Sequence, residues 1–236
     1  MGVTAQIVAS RFSSIDLSNK AITDYQQLTS DLDIILNLNK FERFEIDNDF
    51  VHEEVSDIND IIFKYSDSLS VLALKNSPNS QRNVLDFQLN SNVIDKIKSQ
   101  YNFIVADVPV HVVNTSDFNK IVETSNIFLV VVEPTVSSIR NARLIHKIVK
   151  GVNDKAKIIF CMSYTKKKID SLLSLKESQK YLGFDIDLDI PYKKNIRSKI
   201  LGGVFFSSKS DMKVYSDLSN RITGSLPKKR KLFSSF

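Results

Sequence analysis

The sequence predicts an α/β protein built on a mostly parallel sheet with helices on both faces, and three observations predict it. The run from Tyr101, YNFIVADVP, and the run from Asn126, NIFLVVVEP, are continuous apolar stretches of the kind that strands buried on both faces of a parallel sheet require. Strand-like and helix-like segments alternate along the chain, with no repeat and no low-complexity linker between them. Each of the two runs also ends in a short loop rich in polar groups, Asp107 and Pro109 after the first, Glu133 to Arg140 after the second. Ligands of open α/β sheets sit at such carboxyl ends.

Taken in order, Ala5 to Phe12 reads as helical, with Ile7, Val8 and Phe12 as its apolar residues. AITDY (21–25) reads as a short strand, and LDIILNL (32–38) fits either element. The polar, acidic segment from Asn39 to Asp60 predicts a long loop, with a short helix near Val55 to Phe63. SVLAL (70–74) predicts a strand and KNSPNS (75–80) a turn; Leu85 to Ser99 follows as a helix with Leu89, Val93, Ile94 and Ile97 on one face. After the two apolar strands comes a helix from Ser138 to Val149, its inner face holding Ile139, Ala142, Ile145 and Ile148, and then the strand KIIFCM (157–162). Ser174 and Glu177 have capping-box spacing, so a helix starts there, and Gly183 stops it. DIDLDIPY (185–192) alternates as a strand does. Helices around Ile196 to Leu201 and from Asp211 to Ile222 close a single domain over 1–224, and 225–236 forms a basic tail.

Composition narrows the chemistry. With 236 residues and 42% hydrophobic content the chain can bury one large core. No run reaches the length of a membrane span, and no basic-then-apolar signal segment follows Met1, so the expectation is a cytosolic protein. The one cysteine, Cys161, cannot form an internal disulfide and reads as a buried strand position. His52, His111 and His146 lack the paired spacing of a zinc or metalloprotease site, so neither a metal nor a catalytic constellation is predicted.

The net charge of +5 is gathered into clusters. Lys166, Lys167 and Lys168 read as a solvated loop face. Lys228, Lys229, Arg230 and Lys231 lie in the tail beside Leu232, Phe233 and Phe236. That mixture suits either a solubilising tail or weak attachment to an anionic membrane.

One family resemblance joins these segments. TDYQQLTSDLDIILNLN, from Thr23 to Asn39, resembles the IDLDLQFGDVALLLNL stretch of the TadZ/CpaE proteins, a pilus-assembly branch of the MinD/ParA-type deviant P-loop ATPases. YNFIVADVP is similar to that family's YDYVVVDLP, and VVVEPTVSSIRNARLI to its EPTVPSLRNAKRL; the closing segments also match in order. The resemblance implies a P-loop NTPase-like fold and a role in organising a Flp (tight-adherence) pilus or secretion machine, at the inner membrane or a cell pole. It implies protein partners from that apparatus, a homodimer, and protein contact around Pro134, Thr135, Ser138, Arg140 and Asn141.

The departures from the family concern its nucleotide site. A P-loop cradles phosphates with glycine-supported amides and a lysine, and its Ser or Thr ligates magnesium. No GxxxxGK[ST] occurs in this chain. On the matching above, MGVTAQIVASRF corresponds to the helix that normally follows the loop, so the loop and its preceding strand are expected to be missing or reduced to the first three or four residues. Asp24 matches one acid of the family's DxD pair, whereas the second position is Gln26; the adenine-reading Asn falls on Ser163. Asp107, followed by Pro109, keeps the acid that ends a strand near magnesium and phosphates. The expectation is therefore a pseudo-ATPase scaffold with no cofactor. The alternative is an ATP- and magnesium-dependent localisation ATPase whose phosphate loop lies upstream of Met1. A nucleic-acid-associated, ParA-like role is the weakest of three readings.

Overall fold

A computed structural model describes residues 5–11, 44–46, 62–64, 70–71, 74–76, 101–108, 110, 113, 116–165, 167, 172–194 and 209–224. In chain order the strands are β1 (Ala5–Arg11), β2 (Phe44–Ile46), β3 (Phe63–Lys64), β4 (Ser70–Val71), β5 (Leu74–Asn76), β6 (Phe103–Asp107), β7 (Ile127–Val132), β8 (Lys157–Ser163) and β9 (Leu188–Ile190). The helices are α1 (Ser116–Thr124), α2 (Val136–Val152), α3 (Leu175–Leu182) and α4 (Lys209–Thr223). Five strands form one sheet in the order β6-β1-β7-β8-β9, and every pairing in it is parallel. β2 pairs with β5 and β3 with β4 in two separate two-stranded ladders.

Alternation along β7 assigns the two faces of this sheet. Phe128, Val130 and Val132 pack with Phe160 and Met162 of β8 against Phe118 and Val122 of α1, Ile139, Ala142, Ile145 and Val149 of α2, and Leu182 of α3. On the opposite face, Ile127 and Ile159 pack with Leu129 and with Ile222 of α4. Helices thus cover both faces, which is why β7 and β8 read as unbroken apolar runs.

The structure corrects the reading of the N-terminus. Ala5–Arg11 is a strand, and it lies between β6 and β7, with Ala9 opposite Asp107 and Arg11 opposite Val131. The physical reason is pairing. β6 and β7 would each be left with unpaired amide and carbonyl groups along their facing edges, and Ile7 and Val8 are β-branched residues suited to fill that gap. The first strand is therefore present, and it is flanked on both sides.

Smaller corrections follow. Phe44–Ile46 is a strand inside the segment expected to be a loop. SVLAL divides between β4 and β5, and Lys75 and Asn76 of the expected turn belong to β5. Within the expected Val55–Phe63 helix, Phe63 begins β3. β6 is not buried on both faces, since Phe103 and Val105 are 45% and 62% exposed; among the described residues it is an edge strand. α2 runs from Val136 to Val152, with Val149 taking the buried position expected of Ile148, which is half-buried. The expected elements at 21–25, 32–38, 85–99 and 196–201, and the tail, lie outside the described residues.

Candidate functional site

Because the five strands are parallel, Arg11, Asp107, Val132, Ser163 and Ile190 all end at one edge of the sheet. Register sets their heights. Ala9 lies beside Asp107, so β1 runs two residues past the end of β6 and brings Arg11 alongside Val131. Ser163 closes β8 beside Ile190 and is half-buried. This edge is where an open α/β sheet holds ligands.

The loop after β7 is spent on its own structure. Thr135, extended at φ −125° and ψ 149°, is the N-cap of α2, and its hydroxyl accepts a hydrogen bond from Ser138 N at 3.3 Å. Ser138 is buried, and its Oγ accepts from Glu133 N at 2.9 Å. Pro134 is buried, and its carbonyl accepts from Leu173 N at 2.9 Å. Thr165 Oγ1 donates to Glu133 Oε1 at 2.9 Å, joining the ends of β7 and β8. Of the five residues expected at a protein contact, Pro134, Thr135 and Ser138 thus serve the chain itself, Asn141 is half-buried, and Arg140 is exposed. Asp24, Gln26, Pro109, Lys228, Lys229, Arg230, Lys231 and Phe233 lie outside the described residues.

Among the described residues no three His, Cys, Asp or Glu side chains come together as a metal site, and no helix is long and apolar enough to cross a membrane. His146 lies against Phe184 at 3.9 Å and stacks on Phe160 at 6.1 Å between ring centroids; burial first, and Lys150 second, push its pKa down. Beside it, Arg143, Leu144, Lys147, Leu182 and Phe184 line an open cleft that the reading of the sequence did not single out. A signal was present: Val136–Val152 carries Arg140, Arg143, Lys147 and Lys150 and no acidic residue.

No protein-family model and no curated protein matches the chain. Solved structures do. The MinC:MinD cell division protein complex of Aquifex aeolicus is similar at 22% identity over 95% of this chain and 86% of that one, with a TM-score of 0.60. The cell division ATPase MinD of Pyrococcus furiosus is similar at 13% identity over 96% and 100%, TM-score 0.65, and the ATP complex of a Cyanothece McdA variant at 11% over 94% and 98%, TM-score 0.61. The chain has the α/β fold of the MinD and ParA P-loop ATPases.

Proposed function

We propose that this chain is a non-enzymatic pseudo-ATPase that uses the MinD/ParA fold as a scaffold or positioning component of a Flp pilus or secretion machine, in the manner of TadZ/CpaE proteins. One observation carries the first half. β1 lies inside the sheet, between β6 and β7, where a phosphate loop would follow the strand, yet the sequence from its last residue onward, RFSSIDLSNK, has neither glycine nor a Lys-Ser/Thr pair. Counting along the chain, no glycine occurs between Gly2 and Gly151. The donor set does not fit a nucleotide triphosphate and its magnesium. Ser163 adds to the mismatch, since its hydroxyl donates and accepts through one short-reaching oxygen, whereas an Asn amide spans an adenine edge with a separate carbonyl acceptor and NH2 donor.

Magnitudes support the reading. A charge-assisted hydrogen bond contributes about 1.5–3 kcal/mol, so losing three from the phosphate cradle weakens binding by roughly a thousandfold or more. The interior position of β1 also argues against the second reading, an ATP-dependent localisation ATPase with its loop upstream, because the loop position then falls within this chain. The pilus assignment rests on the resemblance of YNFIVADVP and PTVSSIRNA to the TadZ/CpaE segments.

Calorimetric titration of the intact chain with ATP and magnesium tests the nucleotide half. The expected result is no binding below the millimolar range, and micromolar affinity would overturn the reading. Deletion of the gene in its host tests the other half: loss of Flp pili or of their polar position is expected, and normal piliation would refute it.

A further inference from the structure

We propose that the cleft between α2 and the C-terminal end of α3 is a docking site for an acidic peptide segment that carries apolar side chains. The cleft measures 490 Å³ and opens to solvent. Leu182, fully buried, belongs to its lining, and Leu144 and Phe184 are 40% and 41% exposed there. Tyr181, 54% exposed, stands at the end of the same helix. Large apolar side chains gathered beside a cavity are the usual anchor sites of protein interfaces, where a few buried side chains of the partner supply most of the affinity.

Charge selects the partner. α2 bears four cations and no acid along its 17 residues. Lys150 is committed to the helix end, donating to Asp154 O at 2.7 Å and Ala156 O at 2.8 Å. Arg143 stays at the cleft, its Nη1 donating to Tyr181 O at 3.5 Å, and Arg140 and Lys147 are exposed. Among the described residues these three side chains form no ion pair. Apolar walls rimmed by Arg143 and Lys147, with Arg140 further along the same helix, complement a helical segment that carries carboxylates beside leucine or phenylalanine, and such complementarity steers encounter and fixes register.

A nucleic-acid strand fits less well. His146 lies 3.9 Å from the Phe184 ring between centroids, which leaves Tyr181 as the more exposed ring for base stacking, and one such ring beside aliphatic walls is less than the successive bases of a strand need. Leu144 and Leu182 offer no stacking surface. The proposal is independent of nucleotide binding, so either can fail without the other.

Fluorescence anisotropy on the full chain tests it, with a labelled synthetic peptide of Glu and Leu at helical spacing as the probe. A glutamate-only peptide and labelled oligothymidine serve as comparisons. Leu144→Asp and Lys147→Glu change exposed positions, so thermal melting should be unaltered while each weakens peptide binding by about tenfold. Should Leu144→Asp fail to fold, Lys147→Glu alone decides. Unchanged affinity in Lys147→Glu, equal binding of the glutamate-only peptide, or tighter binding of oligothymidine would each overturn the proposal.

Discussion

Asp187 holds Phe160 and Arg221 at once: Oδ2 accepts from Phe160 N at 3.0 Å, and Oδ1 meets Arg221 Nη1 at 3.0 Å. Asp187 N also donates to Phe160 O at 2.9 Å, so this residue closes both backbone groups of a buried β8 position just before β9 begins. Arg221 brings α4 to the same point, where its carbonyl also accepts from Lys157 Nζ. The two halves of the arrangement differ in weight. Asp187→Ala orphans an amide on a buried residue and should cost about 2 kcal/mol, whereas Arg221→Ala removes a half-exposed ion pair and should cost about 0.5 kcal/mol. Urea denaturation of both variants checks the asymmetry, and equal losses would contradict it.

The start of α3 supplies a second expectation. Ser174 Oγ accepts from Glu177 N at 3.2 Å while Glu177 Oε2 accepts from Ser174 N at 2.8 Å, a complete capping box. Ser174→Ala should destabilise the protein by about 1 kcal/mol. The Ser174 hydroxyl and then its amide hold the Glu177 carboxyl below the usual carboxylate range. A depressed folded pKa makes the contribution complete above the unfolded value and lost as pH falls through the folded one. Thermal melts across acidic pH should therefore show a Glu177 component that vanishes in Glu177→Gln, which keeps the bond to Ser174 N but cannot titrate.

What could be read in the sequence follows from where each signal is local. Ser174, Glu177 and Gly183, whose φ is 82°, define α3 through contacts within a few residues, and α2 shows its inner face at Ile139, Ala142 and Ile145 by helical period alone. β7 and β8 were legible because burial on two faces leaves no polar residue between Ile127 and Val132. β1 was not, since Ile7, Val8 and Phe12 fit a helical face as well as a strand, and only pairing with β6 and β7 decides between them. The site was legible in part. Asp107 and Ser163 end strands as expected, but the hydroxyl of Thr135 caps α2 and that of Ser138 accepts from Glu133 N in the preceding loop, roles that composition does not distinguish from a contact surface.

Cys161 gives a third prediction. It is 1% exposed, and burial, followed by Asp189 and Asp187, pushes its thiol up from 9.0 to about 12. The thiol should be inert to aromatic disulfide reagents in the native state and react fully in denaturant. The raised pKa makes its contribution to stability complete below pH 9.0 and lost as pH rises toward 12. Cys161→Ala should therefore flatten the alkaline fall in stability, by up to about 1.4 kcal/mol per pH unit. Rapid labelling of the native chain at neutral pH would contradict the burial.

Self-association supplies a fourth. Where nucleotide gates pairing of subunits, the pseudo-ATPase reading implies that the gate is lost, so light scattering of this protein should give the same mass with and without ATP and magnesium. Arg140 is exposed on α2, together with Val136 and Ser137 of the PTVSSIRNA block, and is the charged residue among the three. Arg140→Glu should weaken partner binding and leave thermal stability within about 0.5 kcal/mol, as for other surface substitutions. An ATP-induced dimer would refute the pseudo-ATPase reading.

The last expectation concerns PKKRKLFSSF, which follows α4 and its terminal Gly224, at φ 76°. Its four adjacent cations each contribute about 1 kcal/mol near an anionic membrane surface, and Leu232, Phe233 and Phe236 add apolar area that can enter the headgroup boundary. The sum suffices for weak, reversible attachment at most, and because the attraction is screened within a Debye length of about 8 Å at physiological ionic strength, any such attachment should fade as salt rises. Co-sedimentation with anionic vesicles compares the intact chain with one ending at Gly224. Binding that disappears on truncation and in high salt would identify the tail as a membrane anchor, while equal binding of the two chains would leave it as a solubilising segment alone.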